Sequence, residues 1–326
     1  MRGLAAFQNA PRRARFIAGQ ASGDPAAHRV AAQVGSAQLL HYGGDRAKGA
    51  PVVFVPSLIN PPYILDLAPD ASLLGWLAGQ GIDAYLLDWG MPGAGDATLD
   101  LAGHVRDRLL PLLRTLSQPP IVAGYCLGGT LAAAVAAIET PRALAMIAAP
   151  WRFGGFSDAA RSAVARLWAD AKPACEQLGY VPMEVLQSGF WELDPARTIR
   201  KYADFADMAP DSAQAQSFIA LEDWANEGAP LTLGAGTELF EALYAADDSG
   251  RGYWDIGDVT AISPDRLSCP TLSIVSSTDR IVPAAASAPA GECWTLDLGH
   301  VGMIVGRRAQ PQLWRPLLEW LSKHAS

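Results

Sequence analysis

Cys126 stands in the run Gly124-Tyr125-Cys126-Leu127-Gly128-Gly129, between an apolar stretch at 121–123 and an alanine-rich stretch that follows. Gly-x-Cys-x-Gly at the junction of a strand and a helix is the spacing of a nucleophile elbow, a sharp turn that forces its central residue into a strained backbone and lifts that side chain into solvent. The helix N-terminus beyond it carries unpaired N–H groups and the positive end of a dipole, which favour a negatively charged sulfur. The backbone N–H of Leu127 is then a natural donor to a developing oxyanion. The plainer reading of Cys126 is a small buried residue among packing glycines; the elbow spacing favours the nucleophile.

A thiol nucleophile needs a base and a group to orient the base. Asp279 follows the apolar run 271–275, and His300 follows the run 292–296, so each sits on a loop directly after an expected strand. Nucleophile, acid, histidine is the chain order of an α/β-hydrolase triad. Asp279 also lies in a Ser-Thr-Asp cluster of ordinary turn chemistry, which is its alternative role. His28, His41, His104 and His324 have no strand-end context and are expected on surface or terminal segments, without a catalytic part. The second oxyanion donor belongs to the loop after the run 51–56, where Ser57, Leu58 and Ile59 each offer a backbone N–H and sequence does not choose among them; Leu58 is taken as the candidate. Asp88, at the end of the run 82–87, reads as a turn-capping residue.

Positioning such groups requires a parallel sheet. The runs 51–56 and 82–87 flank helical spacing at 70–78, a helix is expected near 101–116 ahead of the elbow strand, and a further buried strand at 143–148 follows the elbow helix. Residues 151–261 break this rhythm with polar helical stretches and aromatics such as Trp151, Trp168, Phe190, Trp191 and Trp224, which predicts an inserted helical cap. The expected organisation is an N-terminal segment at 1–45, a core at 46–150 and 262–326, and the cap between. The core is thus an α/β-hydrolase fold, a mostly parallel sheet flanked by helices, closing on an amphipathic helix near 310–322.

With 326 residues, half of them hydrophobic and 18% charged, the chain can bury one large core with an insertion. A formal charge of −8 argues against nucleic acid as a partner, because phosphate binding needs a basic face. Four cysteines lie far apart with no C-x-x-C pair, so neither a zinc site nor a disulfide framework is indicated, and no metal is expected. Arg2, Arg12, Arg13 and Arg15 precede no continuous apolar run, so neither a signal peptide nor a membrane span is read and a cytoplasmic protein is expected.

The motifs together resemble the polyhydroxyalkanoate synthases, and within them the short class III catalytic subunits. The resemblance runs from about residue 39 onward and rests on Leu58-Ile59-Asn60-Pro61-Pro62-Tyr63-Ile64-Leu65-Asp66-Leu67, on Leu87-Asp88-Trp89-Gly90-Met91-Pro92, on the cysteine elbow, on Asp279-Arg280-Ile281-Val282-Pro283 and on Gly299-His300-Val301-Gly302. Val181-Pro182-Met183 and Leu221-Glu222-Asp223-Trp224 extend it into the cap. It implies Cys126 as the acyl-carrying nucleophile, His300 as base and Asp279 as the acid that assists the substrate hydroxyl. Ser57, Ile59, Asn60 and Tyr63 are the substrate-binding candidates, the substrate being a 3-hydroxyacyl-coenzyme A thioester with no further cofactor. It also implies a polyester granule surface as partner, and a homodimer or a non-catalytic partner subunit as assemblies. Arg280 stands where many members have histidine; its guanidinium stays charged and cannot shuttle a proton. Two other readings stay open: a cysteine-elbow thioesterase or depolymerase, and a non-catalytic granule-associated subunit.

Overall fold

A computed structural model describes residues 2–10, 28–44, 47–192, 195–257 and 259–326; Arg12, Arg13 and Arg15 lie outside them. Among the described residues ten strands are formed: β1 (Arg29–Val34), β2 (Ala37–His41), β3 (Lys48–Val55), β4 (Ile82–Asp88), β5 (Ile121–Tyr125), β6 (Ala143–Ile147), β7 (Tyr180–Val181), β8 (Leu231–Thr232), β9 (Thr271–Ser276) and β10 (Glu292–Leu296). Eight make one sheet in the order β1-β2-β4-β3-β5-β6-β9-β10. From β4 to β10 every neighbouring pair is parallel, while β1 and β2 run antiparallel at one edge. The sheet therefore begins at Arg29, ahead of the expected core boundary at 46. The signal for that hairpin is Gly35-Ser36, a two-residue turn in which Gly35 takes a φ of 59°.

The central strands are apolar on both faces, as parallel strands covered on both sides must be. In β3, Val53 and Val55 enter one core layer and Val52 and Phe54 the other; in β5, Val122 opposes Ile121 and Ala123 in the same way. Strict alternation along each strand sends successive side chains to opposite faces. One layer is closed by the elbow helix (Leu127–Ile138) and the helical segment starting at Leu101–His104, the other by the helices Leu73–Gly79 and Arg315–Ala325. Full burial of a side chain such as Phe54 contributes roughly 1.5–3 kcal/mol, and many are fully buried here.

Between β6 and β9 the chain leaves the sheet. The helix Asp158–Leu178 runs into β7, the helices Met183–Glu192, Pro195–Ala206 and Ala213–Asn226 come next, and β8, paired antiparallel with β7, leads into the helix Leu233–Thr237 and a wider helical turn over Glu238–Ala245. Ser157 opens the longest helix by accepting from the Ala160 N–H, and Gly179 ends it in the left-handed region at φ 79°. The N-terminal helix Arg2–Gln8 docks on this insertion through Phe7, whose ring meets Tyr202 at 5.5 Å and Phe205 at 6.1 Å.

Candidate active site

β5 delivers Cys126 onto the turn before the elbow helix with φ 55° and ψ −132°, a conformation that a non-glycine residue adopts only when its surroundings impose it. The surroundings do so through close approach. A Cβ on Gly124 would run into Gly128 and Gly129, and a Cβ on Gly128 would run into the carbonyl oxygens of Val55 and Pro56. The Cys126 N–H donates to the Ile147 carbonyl at 2.9 Å and its carbonyl accepts from Gly129 at 2.8 Å, which pins the turn to β6 and to its own helix. The sulfur-bearing side chain is half-buried.

The loop after β9 brings Asp279 and the loop after β10 brings His300, and parallel pairing of β9 with β10 sets the two loops side by side. Asp279 Oδ2 lies 2.6 Å from His300 Nδ1. Its other oxygen accepts from the Ile281 and Val282 N–H groups at 2.7 and 3.0 Å, so the carboxylate is held from both sides. The Cys126 side chain lies close enough to raise the basicity of the His300 imidazole. With Nδ1 taken by Asp279, Nε2 is the ring nitrogen that faces the sulfur. Burial by itself lowers the basicity of this imidazole. The neighbouring Cys126, the hydrogen bond to Asp279 and its charge outweigh that and push it up to about 10. Tyr125, just before the nucleophile, donates its hydroxyl to the His300 carbonyl at 3.2 Å and sets its ring 5.0 Å from the imidazole. Nothing in the sequence singles out Tyr125, since it reads as one more apolar residue of the strand.

The other candidates divide. Leu127 and Leu58 pack in the same core layer beside the elbow. The Ile59 N–H is consumed locally, donating to Ser57 Oγ at 3.1 Å, which leaves the N–H groups of Ser57 and Leu58 for an oxyanion. Asn60 and Tyr63 lie further along the same loop, in the wall of a cavity of about 540 Å³ whose lining includes neither Cys126, Asp279 nor His300. Tyr63 donates to Glu227 of the insertion at 2.9 Å, a partner that sequence alone does not suggest. The expectation of a surface position fails for His104. It is 7% exposed, held edge-on by the Trp89 ring at 5.6 Å, and it lines that cavity, because the helix that carries it is buried rather than solvent-facing. His41 is paired with Asp83 at 2.6 Å on β4. Burial raises the thiols of Cys175 and Cys269, while Cys293 is exposed. Among the described residues no helix is long and apolar enough to cross a membrane, and no group of three His, Cys, Asp or Glu side chains is placed to hold a metal ion.

The sheet order, the elbow and the strand-end loops are those of an α/β hydrolase, and the sequence model described as the alpha/beta hydrolase family matches residues 52–312: the chain belongs to that family. Within it, the chain is similar to proteins named poly(3-hydroxyalkanoate) polymerase subunit PhaC. The one from Haloferax mediterranei is 29% identical over 88% of this chain and 62% of its own length. Those from Synechocystis sp. and Allochromatium vinosum are each 27% identical, over 84% and 88% of this chain and 78% and 86% of theirs. The chain thus spans less than two thirds of the haloarchaeal relatives, the Haloarcula marismortui protein being covered over 66% of its length. Among solved structures, a hydrolase from Pseudomonas aeruginosa PA01 superposes with a TM-score of 0.56 over 92% of this chain and 98% of its own, at 16% identity, a likeness of fold alone.

Proposed function

We propose that this chain is an acyltransferase that takes 3-hydroxyacyl groups from coenzyme A thioesters onto Cys126 and passes them to a hydroxyl, building a polyhydroxyalkanoate. The observation that carries the reading is a sulfur, not an oxygen, on the elbow, beside a histidine that is itself bonded to Asp279; the similarity to proteins named polymerase subunits supports it.

The Cys126 sulfur attacks the thioester carbonyl, and the tetrahedral oxyanion is met by the N–H of Leu127 with that of Ser57 or Leu58. The carbon–sulfur bond to coenzyme A breaks, and the departing thiolate takes a proton from His300 Nε2. The acceptor hydroxyl then gives its proton to Nε2 as its oxygen attacks the acyl–Cys126 thioester, and Cys126 leaves as a thiolate paired with the imidazolium. Asp279 holds the imidazole in the tautomer that keeps Nε2 available, which is the role of the third group in such triads. Thioester-to-thioester exchange is nearly isoenergetic and transfer to a hydroxyl runs downhill, so a sulfur nucleophile suits repeated transfer. In the apolar layer against which Cys126 packs, Tyr244 of the insertion meets Phe153 and Phe156 at 4.8 and 5.2 Å, an apolar surrounding that would restrict water.

Incubation with 3-hydroxybutyryl-coenzyme A, following thiol release and product mass together, tests this. Thiol release with a growing polyester is the expected result; release with only free 3-hydroxybutyrate would assign a thioesterase, and no release would leave a non-catalytic granule-associated subunit. A homodimer, a non-catalytic partner subunit and attachment to a polyester granule belong to the same reading and are checked by sedimentation with and without polymer.

A further inference from the structure

The chain leaves β6 directly beside the nucleophile. The Cys126 N–H is bonded to the Ile147 carbonyl, the last of that strand, and the residues that follow pack on the elbow helix: a Cβ on Gly129 would collide with the Ala149 side chain, and the Thr130 hydroxyl donates to the Pro150 carbonyl. Phe153 and Phe156 come next, in the apolar layer against which Cys126 packs. Onto these two rings the far end of the insertion lays Tyr244, edge-on to Phe153 at 4.8 Å and tilted on Phe156 at 5.2 Å. Arg161 fixes that stretch of backbone by donating to the Tyr244 and Ala245 carbonyls at 3.3 and 2.9 Å. Tyr244 is thereby held beside the elbow through both its ring and its main chain.

Its hydroxyl has no task in the fold. Tyr42, Tyr63, Tyr125 and Tyr202 each donate theirs to a carboxylate or a carbonyl, whereas no described residue hydrogen-bonds the Tyr244 hydroxyl. Burial, and after it the charge of the nearby Cys126, holds this phenol above its ordinary range, so the oxygen keeps its proton and acts as a donor. Neither Tyr244 nor Cys126 is fully buried, so a ligand can reach both. A donor set against aromatic rings without a partner of its own loses free energy until an acceptor arrives. An acyl group on the Cys126 sulfur brings one when it carries a hydroxyl two carbons beyond its carbonyl.

We propose that Tyr244 is the residue that reads the hydroxyl on C3 of the acyl group: its Oη–H donates to that oxygen while Phe153 and Phe156 cover the carbon chain. The assignment rests on the acyl-transfer reading for the identity of the guest. The hydroxyl so held keeps its own proton and is a spectator while its acyl group is transferred, since the attacking oxygen belongs to another molecule. A plain fatty-acyl thioester of equal length fills the same apolar surface but leaves the donor unpaired, and that difference is the basis of the discrimination.

Calorimetric titration of the full chain carrying Cys126→Ala, on which no acyl group can be transferred, with 3-hydroxybutyryl-coenzyme A and with butyryl-coenzyme A tests the proposal, with Tyr244 intact and with Tyr244→Phe added. The expected result is binding about tenfold tighter for the hydroxylated thioester, the worth of one hydrogen bond, and loss of that preference with Tyr244→Phe. Equal binding of the two thioesters, binding of neither, a preference that survives Tyr244→Phe, or an equal weakening of both by it would overturn the assignment. Should Tyr244→Phe fail to fold in this background, Tyr244→Met, whose flexible side chain refills the space without a donor, takes its place. Acylation of the unaltered chain by 3-hydroxybutyryl-coenzyme A, measured by intact mass, keeps the two ideas apart. Its absence with the binding preference retained would sink the transfer reaction alone, and acylation without the preference would sink the role of Tyr244 alone.

Discussion

The sheet and the insertion share an apolar layer but differ in their polar anchors. The sheet is sealed by two apolar layers in which strand residues such as Val52, Val53, Phe54 and Val55 are fully buried, and its catalytic candidates hang from the ends of those strands. The insertion adds carboxylate anchors, most of them internal to it. Glu238 accepts from the N–H groups of Leu101 and Ala102 at 2.6 and 3.2 Å and from the Trp254 indole, Glu241 takes both Trp168 and Lys172 at 2.7 and 2.6 Å, and Glu222 takes Lys201 and Tyr202. The insertion also shares the apolar layer on one face of the sheet, where Trp151, Phe153, Trp168 and Phe240 join Val53 and Val55, so its polar anchors add to apolar burial rather than replace it.

Replacing the groups on the sheet side is expected to have the largest effect. Cys126→Ala should lower acyl transfer by about a thousandfold or more, with the fold retained by circular dichroism; alkylation by iodoacetamide should track inactivation at Cys126, and inactivation that tracks Cys293 instead would break the assignment. Asp279→Asn should come next, at about 10²–10⁴-fold, since the carboxylate fixes the imidazole tautomer; full activity in that variant would detach Asp279 from the site. Gly128→Ala should destabilise the sheet by about 1–3 kcal/mol in urea unfolding, because its methyl group would meet the ends of β3. Glu238→Gln should cost less and act on the other region, exposing 151–261 to protease while the sheet stays protected in hydrogen exchange; equal loss of protection in both would erase the contrast.

The smallest expected effect is on pH dependence. His300 is more basic in the folded chain, near 10, than an unperturbed histidine near 6.5. Its contribution to stability is therefore complete below about pH 6.5 and falls away as pH rises toward 10. The stability gap between the parent and His300→Gln should narrow over that interval in urea titrations at several pH values.

The same division governs what could be read from the residues. The elbow was legible because a strained turn demands glycine at fixed offsets, and Asp279 and His300 because strand-end loops carry a turn signature on one side and an apolar run on the other. The β1–β2 hairpin was less so, its strands half-exposed and short, with only Gly35-Ser36 to mark the turn. His104 and Glu227 were not legible: a single histidine on a short helix and a glutamate after a longer one have no periodic partner in sequence, and only the folded chain sets them in one cavity wall. Tyr125 was hidden in an apolar strand, its hydroxyl meaningful only through the loop that crosses it.

The backbone of Cys126 lies in a region that glycine occupies without strain. Stability and reactivity therefore pull in opposite directions at this one position. A lineage released from the need for acyl transfer would gain from replacing Cys126 by glycine, losing its sulfur and relaxing its turn in a single step. Retention of a side chain here is a running cost that only chemistry repays, and relatives of this chain that have drifted to glycine at the elbow are expected to be sturdier proteins with no reaction left to perform.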